Sequence, residues 1–218
     1  AINVDPADAA KHGATPLVAD AAQTLDELRV RLEGWRARWP ERAVASPPRP
    51  AAEPGRALLT DADVVETVCG WARSDTTVVA ASGSLPGELQ RGWRVGDPDD
   101  YHVEYGFSCM GYEVAGALGV KLARPEREVV ALVGDGAYLM LNSELATAAE
   151  LKQDLIVVLV DNGGFGCIHR LQRAVGGAEH SNLRRSNVNL ALHARSLGAE
   201  VFEAGTDLKG ALDAARAA

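Results

Sequence analysis

Residues 128–137 read Glu128-Val129-Val130-Ala131-Leu132-Val133-Gly134-Asp135-Gly136-Ala137. Residues 155–164 read Leu155-Ile156-Val157-Val158-Leu159-Val160-Asp161-Asn162-Gly163-Gly164. Each stretch is an unbroken apolar run, rich in β-branched residues, that ends in a glycine-rich turn carrying an acid or an amide. Runs without polar alternation suit strands buried on both faces, and such strands belong to parallel sheets covered by helices. The intervening residues, Tyr138 to Leu151, have helical composition, so the whole segment predicts strand, helix, strand.

Working outward, Thr76–Ala81 predicts another buried strand and Tyr101–Tyr105 a short one, with 82–87 between them as a loop. Thr60 is placed to cap a helix reaching Arg73. Cys109–Ala123 predicts a helix of small residues able to pack closely on a sheet. A loop after Asp161, a helix near Val188–Leu197, a short strand near Glu200–Phe202 and a helix after Thr206 complete the chain. The expected fold class is α/β: a Rossmann-like three-layer sandwich, its parallel sheet flanked by helices on both faces. Residues 1–39 read as the tail of another domain, a strand end followed by a helix from Asp20 to Trp39 with Leu25, Leu28, Leu32 and Trp35 at helical spacing. Residues 40–57, with Pro40, Pro47, Pro48, Pro50 and Pro54, predict a semi-rigid linker. Residues 58–218 then form one domain, expected to be truncated at its C-terminus. The absent initiator methionine suggests a piece of a longer chain.

Composition narrows the partners. Hydrophobic residues make up 47% and charged residues 24%, an ordinary globular balance. A net charge of −8 over 218 residues argues against nucleic acid or an anionic membrane. Three well-separated cysteines, Cys69, Cys109 and Cys167, predict free thiols and a cytoplasmic location. Apolar runs are strand-length, and no signal peptide is evident.

In an open parallel sheet, ligands sit where loops leave the carboxyl ends of strands. Gly134-Asp135-Gly136-Ala137 follows one buried strand, and Asn162-Gly163-Gly164-Phe165-Gly166 follows another. The first loop opens a helix, whose free N–H groups suit a diphosphate. Asp135 and the side-chain oxygen of Asn162, 27 positions apart, are a pair that could reach one hard cation with a carbonyl from the glycine loop. That oxygen-only set is what Mg²⁺ prefers. Either turn alone is ordinary turn chemistry. Together, each after a buried strand and separated by one helix, they point to function.

Gly134-Asp135-Gly136 … Asp161-Asn162 resembles the fingerprint of thiamine-diphosphate (ThDP) enzymes: GDG, a gap of this length, then NN, with Asp161 replacing the first Asn. The resemblance implies ThDP and Mg²⁺ as cofactors, with Asp135, Asn162 and the Gly164 carbonyl as metal ligands. It implies that Gly136 and Ala137 hold the diphosphate through backbone N–H groups, with Gly134 and Gly166 in the same cofactor-binding set. Ser82-Gly83-Ser84 matches the earlier phosphate loop. Ser108-Cys109-Met110-Gly111 matches the stretch that cradles the aminopyrimidine. Met110 there supports the bent cofactor, and the Ser108 carbonyl, where glycine is frequent, accepts from its amino group.

The words Tyr101–Glu113, Leu141–Leu145 and Phe165–Gln172, with the opening Ile2–Ala14 block, are similar to one branch of the family. That branch hydrolyses a C–C bond of a trihydroxycyclohexanedione in inositol catabolism, giving 5-deoxyglucuronate. In such enzymes the carbanion is generated by a glutamate of a separate N-terminal pyrimidine domain, normally across a dimer interface. No residue here matches it. The resemblance therefore implies a polyol-derived dione substrate, the chain's own pyrimidine domain as partner, and a homodimer or tetramer at full length. This chain alone is then expected to be inactive. Two further readings stay open: an acetolactate-synthase-like carboligase or 2-oxo-acid decarboxylase, and a non-catalytic phosphate-binding α/β domain. His102 and Glu104, and His169 and Arg170, are candidate pocket residues. Cys109 and Cys167 adjoin the site and are expected to be inert. His180–Arg185 lies where many members have a mobile loop.

Overall fold

The computed structural model describes residues 1–36, 58–94, 96–178, 182–183 and 187–218. The chain divides into two compact units, residues 1–47 and 48–218.

In the first unit, strands β1 (Ile2–Asn3) and β2 (Leu17–Val18) pair in parallel. Helix α1 (Pro6–Ala9) starts at Asp5, whose carboxylate accepts from the Ala7 and Asp8 amides. Helix α2 (Ala21–Arg31) is capped by Asp20, which accepts from the Gln23 amide at 3.0 Å. It is shorter than the expected 20–39. Past Arg31 the chain turns through Gly34 at φ 78°, and residues 37–39 lie outside the described residues. The linker expected over 40–57 lies outside them too.

The second unit contains α3 (Asp61–Trp71), β3 (Thr76–Ala80), α4 (Leu85–Gly92), β4 (Tyr101–Val103), α5 (Tyr112–Ala123) and β5 (Glu128–Gly134). Then come α6 (Asp135–Met140), α7 (Glu144–Glu150), β6 (Ile156–Val160), α8 (Gly166–Ala174), α9 (Leu190–Ser196) and α10 (Leu208–Ala217). Among the described residues its strands form one parallel sheet in the order β4-β3-β5-β6. Side chains alternate between the two faces of a strand. Val130 and Leu132, with Val78, Ala80 and Val158, pack on Val65, Val68, Leu89 and Leu212 of α3, α4 and α10. Val129, Ala131 and Val133 face the other way, onto Val114 and Ala117 of α5, Tyr138 of α6 and Leu145 of α7. This is the three-layer α/β sandwich expected. Each buried valine or leucine among them contributes about 1.5–3 kcal/mol, so the doubly covered β5 anchors both layers. Thr60 and Asp63 start α3 with a reciprocal capping box: Asp63 accepts from the Thr60 amide at 2.7 Å, and the Asp63 amide donates to the Thr60 hydroxyl at 3.2 Å.

Several element expectations need correction. Residues 85–87, the end of the expected loop, belong to helix α4 instead, because Leu85 and Leu89 give it a buried face. Residues 109–111 precede α5; Gly111, at φ 93°, turns the chain into it. The single helix expected over 138–151 is two pieces. Leu141 is extended, and Asn142 donates to the Tyr138 carbonyl at 3.0 Å, ending α6. Residues 166–174 form α8 where a loop was expected. Residues 200–202 make no strand.

The amino-terminal edge of the sheet is closed by ion pairs. Arg216 grips Glu128 with two bonds, of 2.6 and 2.7 Å, while the Thr76 hydroxyl donates to the same carboxylate at 2.6 Å. The Arg216 guanidinium also stacks 3.3 Å from the Trp71 ring centre. Arg127 pairs with Asp100 and donates to the Thr77 hydroxyl at 2.6 Å. Burial alone would raise the Glu128 carboxyl, but Arg216, the Thr76 hydroxyl and Arg73 outweigh it and hold it below the ordinary range. Asp100 is held low in the same sense, its burial outweighed by backbone amides and Arg127. A carboxyl held low in the fold contributes stability that is present above its unfolded pKa of about 4 and is lost as pH falls through the lower folded value. The melting temperature should therefore drop as pH falls from about 5 toward 3. Arg216→Met should cost about 2 kcal/mol at neutral pH and flatten that acid-side drop. An unchanged acid slope in calorimetric melts would show that Glu128 is not stabilised by Arg216.

Candidate functional site

Because all four strands are parallel, their carboxyl ends share one edge. The strand order reverses there between β3 and β5, which opens a crevice. The β5–β6 register sets Gly134 opposite Val160. Asp135 follows at the start of α6, and Asn162 stands two residues beyond β6. Asp135 is fully buried, and its Oδ1 accepts from the Asn162 backbone amide at 3.4 Å. One terminal atom of the Asn162 carboxamide lies 2.8 Å from the Gly164 carbonyl oxygen and 3.1 Å from Asp135 Oδ1. With nitrogen at that position, Asn162 donates to both. With oxygen there, three oxygens face one another, an arrangement that a cation stabilises. One carboxylate, one amide oxygen and one main-chain carbonyl form a hard donor set that fits Mg²⁺. Among the described residues, no group of three His, Cys, Asp or Glu side chains is placed to hold a metal. A cation here would thus depend on Asn162 and a carbonyl as well as Asp135.

Glycine makes this approach possible. A Cβ on Gly166 would sit 3.0 Å from the Asn162 carboxamide. A Cβ on Gly136 would meet the Phe165 ring at 2.7 Å and the Gly164 carbonyl carbon at 3.2 Å. The two loops therefore press together at positions where an added Cβ would crowd the facing loop. Ala137 is buried beside Gly136 in the first turn of α6, where backbone N–H groups have no acceptor within the helix. Leu183 bridges Gly164, and the Phe165 amide donates to the Asn182 carbonyl at 2.7 Å. Of the segment His180–Arg185, only these two residues are described.

The loop leaving β3 carries Ser82, Gly83 and Ser84. Gly83 is at φ 90°. The Ser84 hydroxyl donates to Asp61 of α3 and accepts from Arg170 of α8 at 2.8 Å. Arg170, which follows the Asn162 loop, thus spans the crevice to the Ser84 loop. The loop leaving β4 is organised by Glu104, whose oxygens accept from the Cys109 amide at 2.6 Å and the Phe107 amide at 2.9 Å. Those amides hold the Glu104 carboxyl below its usual range. Its geometry makes it a loop organiser, not a free pocket acid. Ser108 sits in the left-handed region at φ 53°, a strain on the order of 1 kcal/mol for a side chain other than glycine. Met110 is exposed at the start of the turn into α5. Local desolvation and the Glu104 carboxylate push the Cys109 thiol up, away from thiolate. His102 is half-buried in β4, and Cys167 is half-buried in α8. The His169 Nδ1 is buried without a hydrogen-bond partner.

Sequence reading passed over three residues at this edge. Asp61 registers in the sequence only as a helix start. The Phe165 ring covers Gly136. Glu113 is 1% exposed and accepts from the Gly111 amide at 2.9 Å and the Ser82 amide at 3.4 Å. An acid inside the small, apolar run Tyr112–Ala123 was the available signal for Glu113.

Residues 81–218, more than half of the chain, match the family described as thiamine pyrophosphate enzyme, C-terminal TPP binding domain. Named relatives are similar over nearly the whole chain. The 3D-(3,5/4)-trihydroxycyclohexane-1,2-dione hydrolases of Shouchella clausii (strain KSM-K16) and Bacillus subtilis (strain 168) are each 38% identical, over 99% of this chain and 40% of their own length. The namesake from Bacillus thuringiensis (strain Al Hakam) is 53% identical over 54% of this chain and 18% of its own. The chain thus spans about two-fifths of the first two relatives. A Rhodococcus jostii RHA1 thiamine diphosphate-dependent 4-hydroxybenzoylformate decarboxylase shares the fold, with a TM-score of 0.79 at 22% identity, over 100% of this chain and 41% of that one. A GDG turn and an Asn-Gly-Gly turn brought together at adjacent strand ends are thus joined by a match across the same residues, and the chain belongs to the thiamine pyrophosphate enzyme family, through its C-terminal TPP-binding domain.

Proposed function

We propose that this chain is the diphosphate- and Mg²⁺-binding half of a ThDP-dependent hydrolase that cleaves a C–C bond of trihydroxycyclohexane-1,2-dione. The observation that carries this reading is the meeting of the Asn162 carboxamide with the Gly164 carbonyl at 2.8 Å and Asp135 Oδ1 at 3.1 Å, beside a glycine helix start. The hydrolase names of the relatives support the choice of reaction.

Asp135, Asn162 and the Gly164 carbonyl hold the metal. The Gly136 and Ala137 amides hold the diphosphate from one side, with Gly134 and Gly166 leaving room for it. The Ser82-Gly83-Ser84 loop holds it from the other. The Ser82 amide is already engaged by Glu113 and the Ser84 hydroxyl by Asp61 and Arg170, so that loop offers the Ser82 hydroxyl and the amides of Gly83 and Ser84. Ser108 and Met110 receive the aminopyrimidine end. Bound ThDP would supply a carbon nucleophile and an electron sink for breaking the C–C bond, with one water consumed in the hydrolysis. Burial of the Asp135 carboxylate lowers the local dielectric and would strengthen its own contact with a cation. The glutamate that activates the cofactor comes from a pyrimidine domain outside this chain. The full-length protein then works as a cytoplasmic homodimer or tetramer in inositol catabolism.

Calorimetric titration checks the cofactor. ThDP should bind only with Mg²⁺. Asp135→Asn or Asn162→Ala should weaken it by at least about 100-fold, since loss of outer-shell groups alone costs about 10- to 100-fold. Tighter, Mg²⁺-independent binding of ADP would replace this reading with a phosphate-binding domain. Gly166→Ala, whose methyl would displace the Asn162 carboxamide, should weaken ThDP about tenfold while the fold persists. Undiminished affinity there would show that ThDP binding does not depend on the present position of the Asn162 carboxamide. The reaction is checked by turnover. The chain alone should open no dione, the complete protein should, and turnover of pyruvate instead would mark a carboligase.

A further inference from the structure

Among the described residues, the buried carboxylates are Asp100, Glu113 and Asp135. Asp100 belongs to the ion pairs of the amino-terminal edge, and Asp135 to the metal triad. Glu113 stands second in α5, a helix otherwise apolar or small except for Lys121. Burial pushes its carboxyl up against the opposing pull of backbone amides. A carboxyl kept in such a place must be hydrogen-bonded to be tolerated.

Its two oxygens go to different loops. Oε2 accepts from the Gly111 amide at 2.9 Å, and Oε1 from the Ser82 amide at 3.4 Å. Capping α5 accounts for the first bond. Gly111 cannot carry a capping side chain, since a Cβ there would lie 2.8 Å from the Leu141 Cβ, so Glu113 reaches back to its amide. Capping does not account for the second bond. Ser82 opens the loop assigned to the diphosphate, and Gly111 closes the 108–111 turn assigned to the aminopyrimidine.

We propose that Glu113 is a positioning residue that ties these two loops together and sets the distance between the two ends of the bound cofactor. This rests on the ThDP reading above. The acid is needed because a carboxylate offers acceptors on both oxygens, whereas an amide would turn its NH₂ toward one of the two N–H donors.

The comparison that separates positioning from simple structural support uses two ligands. Inorganic pyrophosphate touches only the diphosphate loops, and ThDP touches both. In calorimetric titrations of the intact protein with Mg²⁺ present, Glu113→Gln should weaken ThDP about tenfold, the equivalent of one lost charge-assisted hydrogen bond, and pyrophosphate by less than about twofold. Equal weakening of both ligands, or of neither, would overturn the inference. A wild-type protein that binds pyrophosphate but not ThDP would instead bring down the cofactor reading, and this inference with it. Glu113→Met, which fills similar volume without a buried charge, repeats the comparison should the glutamine variant not fold.

Discussion

The β5–β6 ladder governs the rest of the second unit. Its register runs from Val130 opposite Ile156 to Gly134 opposite Val160. A strand's side chains alternate, so a slip of one residue would turn each of them to the other layer. It would also move Asp135 relative to Asn162 by about 3.3 Å, enough to separate the Asp135 carboxylate from the Asn162 carboxamide. Register is held because Val130 and Leu132 fill one core while Val129, Ala131 and Val133 fill the other. Packing of ten or so apolar side chains thus sets the position of one amide against one carboxylate.

The two edges of this sheet use opposite means. At the amino-terminal edge, Arg216 on Glu128 and Arg127 on Asp100 pair charges that are partly or wholly withdrawn from water, and Thr76 and Thr77 add hydrogen bonds. At the carboxyl edge, the Asp135 carboxylate, the Asn162 carboxamide and the Gly164 carbonyl are brought close with glycine beneath them, and few cationic side chains lie nearby among the described residues. Arg170 is the exception, and its charge is shared between Ser84 and Asp61. An edge built from a carboxylate, an amide and a main-chain carbonyl has a donor set that fits a cation, and an edge already paired is suited to hold the sandwich shut.

Much of the architecture was legible because buried parallel strands have a distinctive composition. Thr76–Ala80, Glu128–Gly134 and Ile156–Val160 lie where the apolar runs predict them. Helices with one wet face were harder. Residues 85–92 begin with Leu-Pro-Gly, which reads as a turn, although Leu85 and Leu89 bury one side. The break at 141–143 is invisible in composition, since it arises from contact of Leu141 with the Gly111 turn and from Asn142 bonding back to Tyr138. The Glu200–Phe202 strand was read from short-range pattern, but a strand needs a partner edge, and these residues pair with none.

The chain's own residues determined the α/β class, the glycine turns and the pairing of Asp135 with Asn162 as candidates, because each follows from local periodicity and from motif spacing. Tertiary structure alone decided which side chains meet: Phe165 over Gly136, Arg170 across to Ser84, and Glu113 between Ser82 and Gly111. Those contacts join residues distant in the chain, and their geometry depends on layer packing and strand register, which no local window contains. The GDG turn and the asparagine turn are therefore readable one at a time in sequence, but a shared site exists only once two buried strands have aligned their ends.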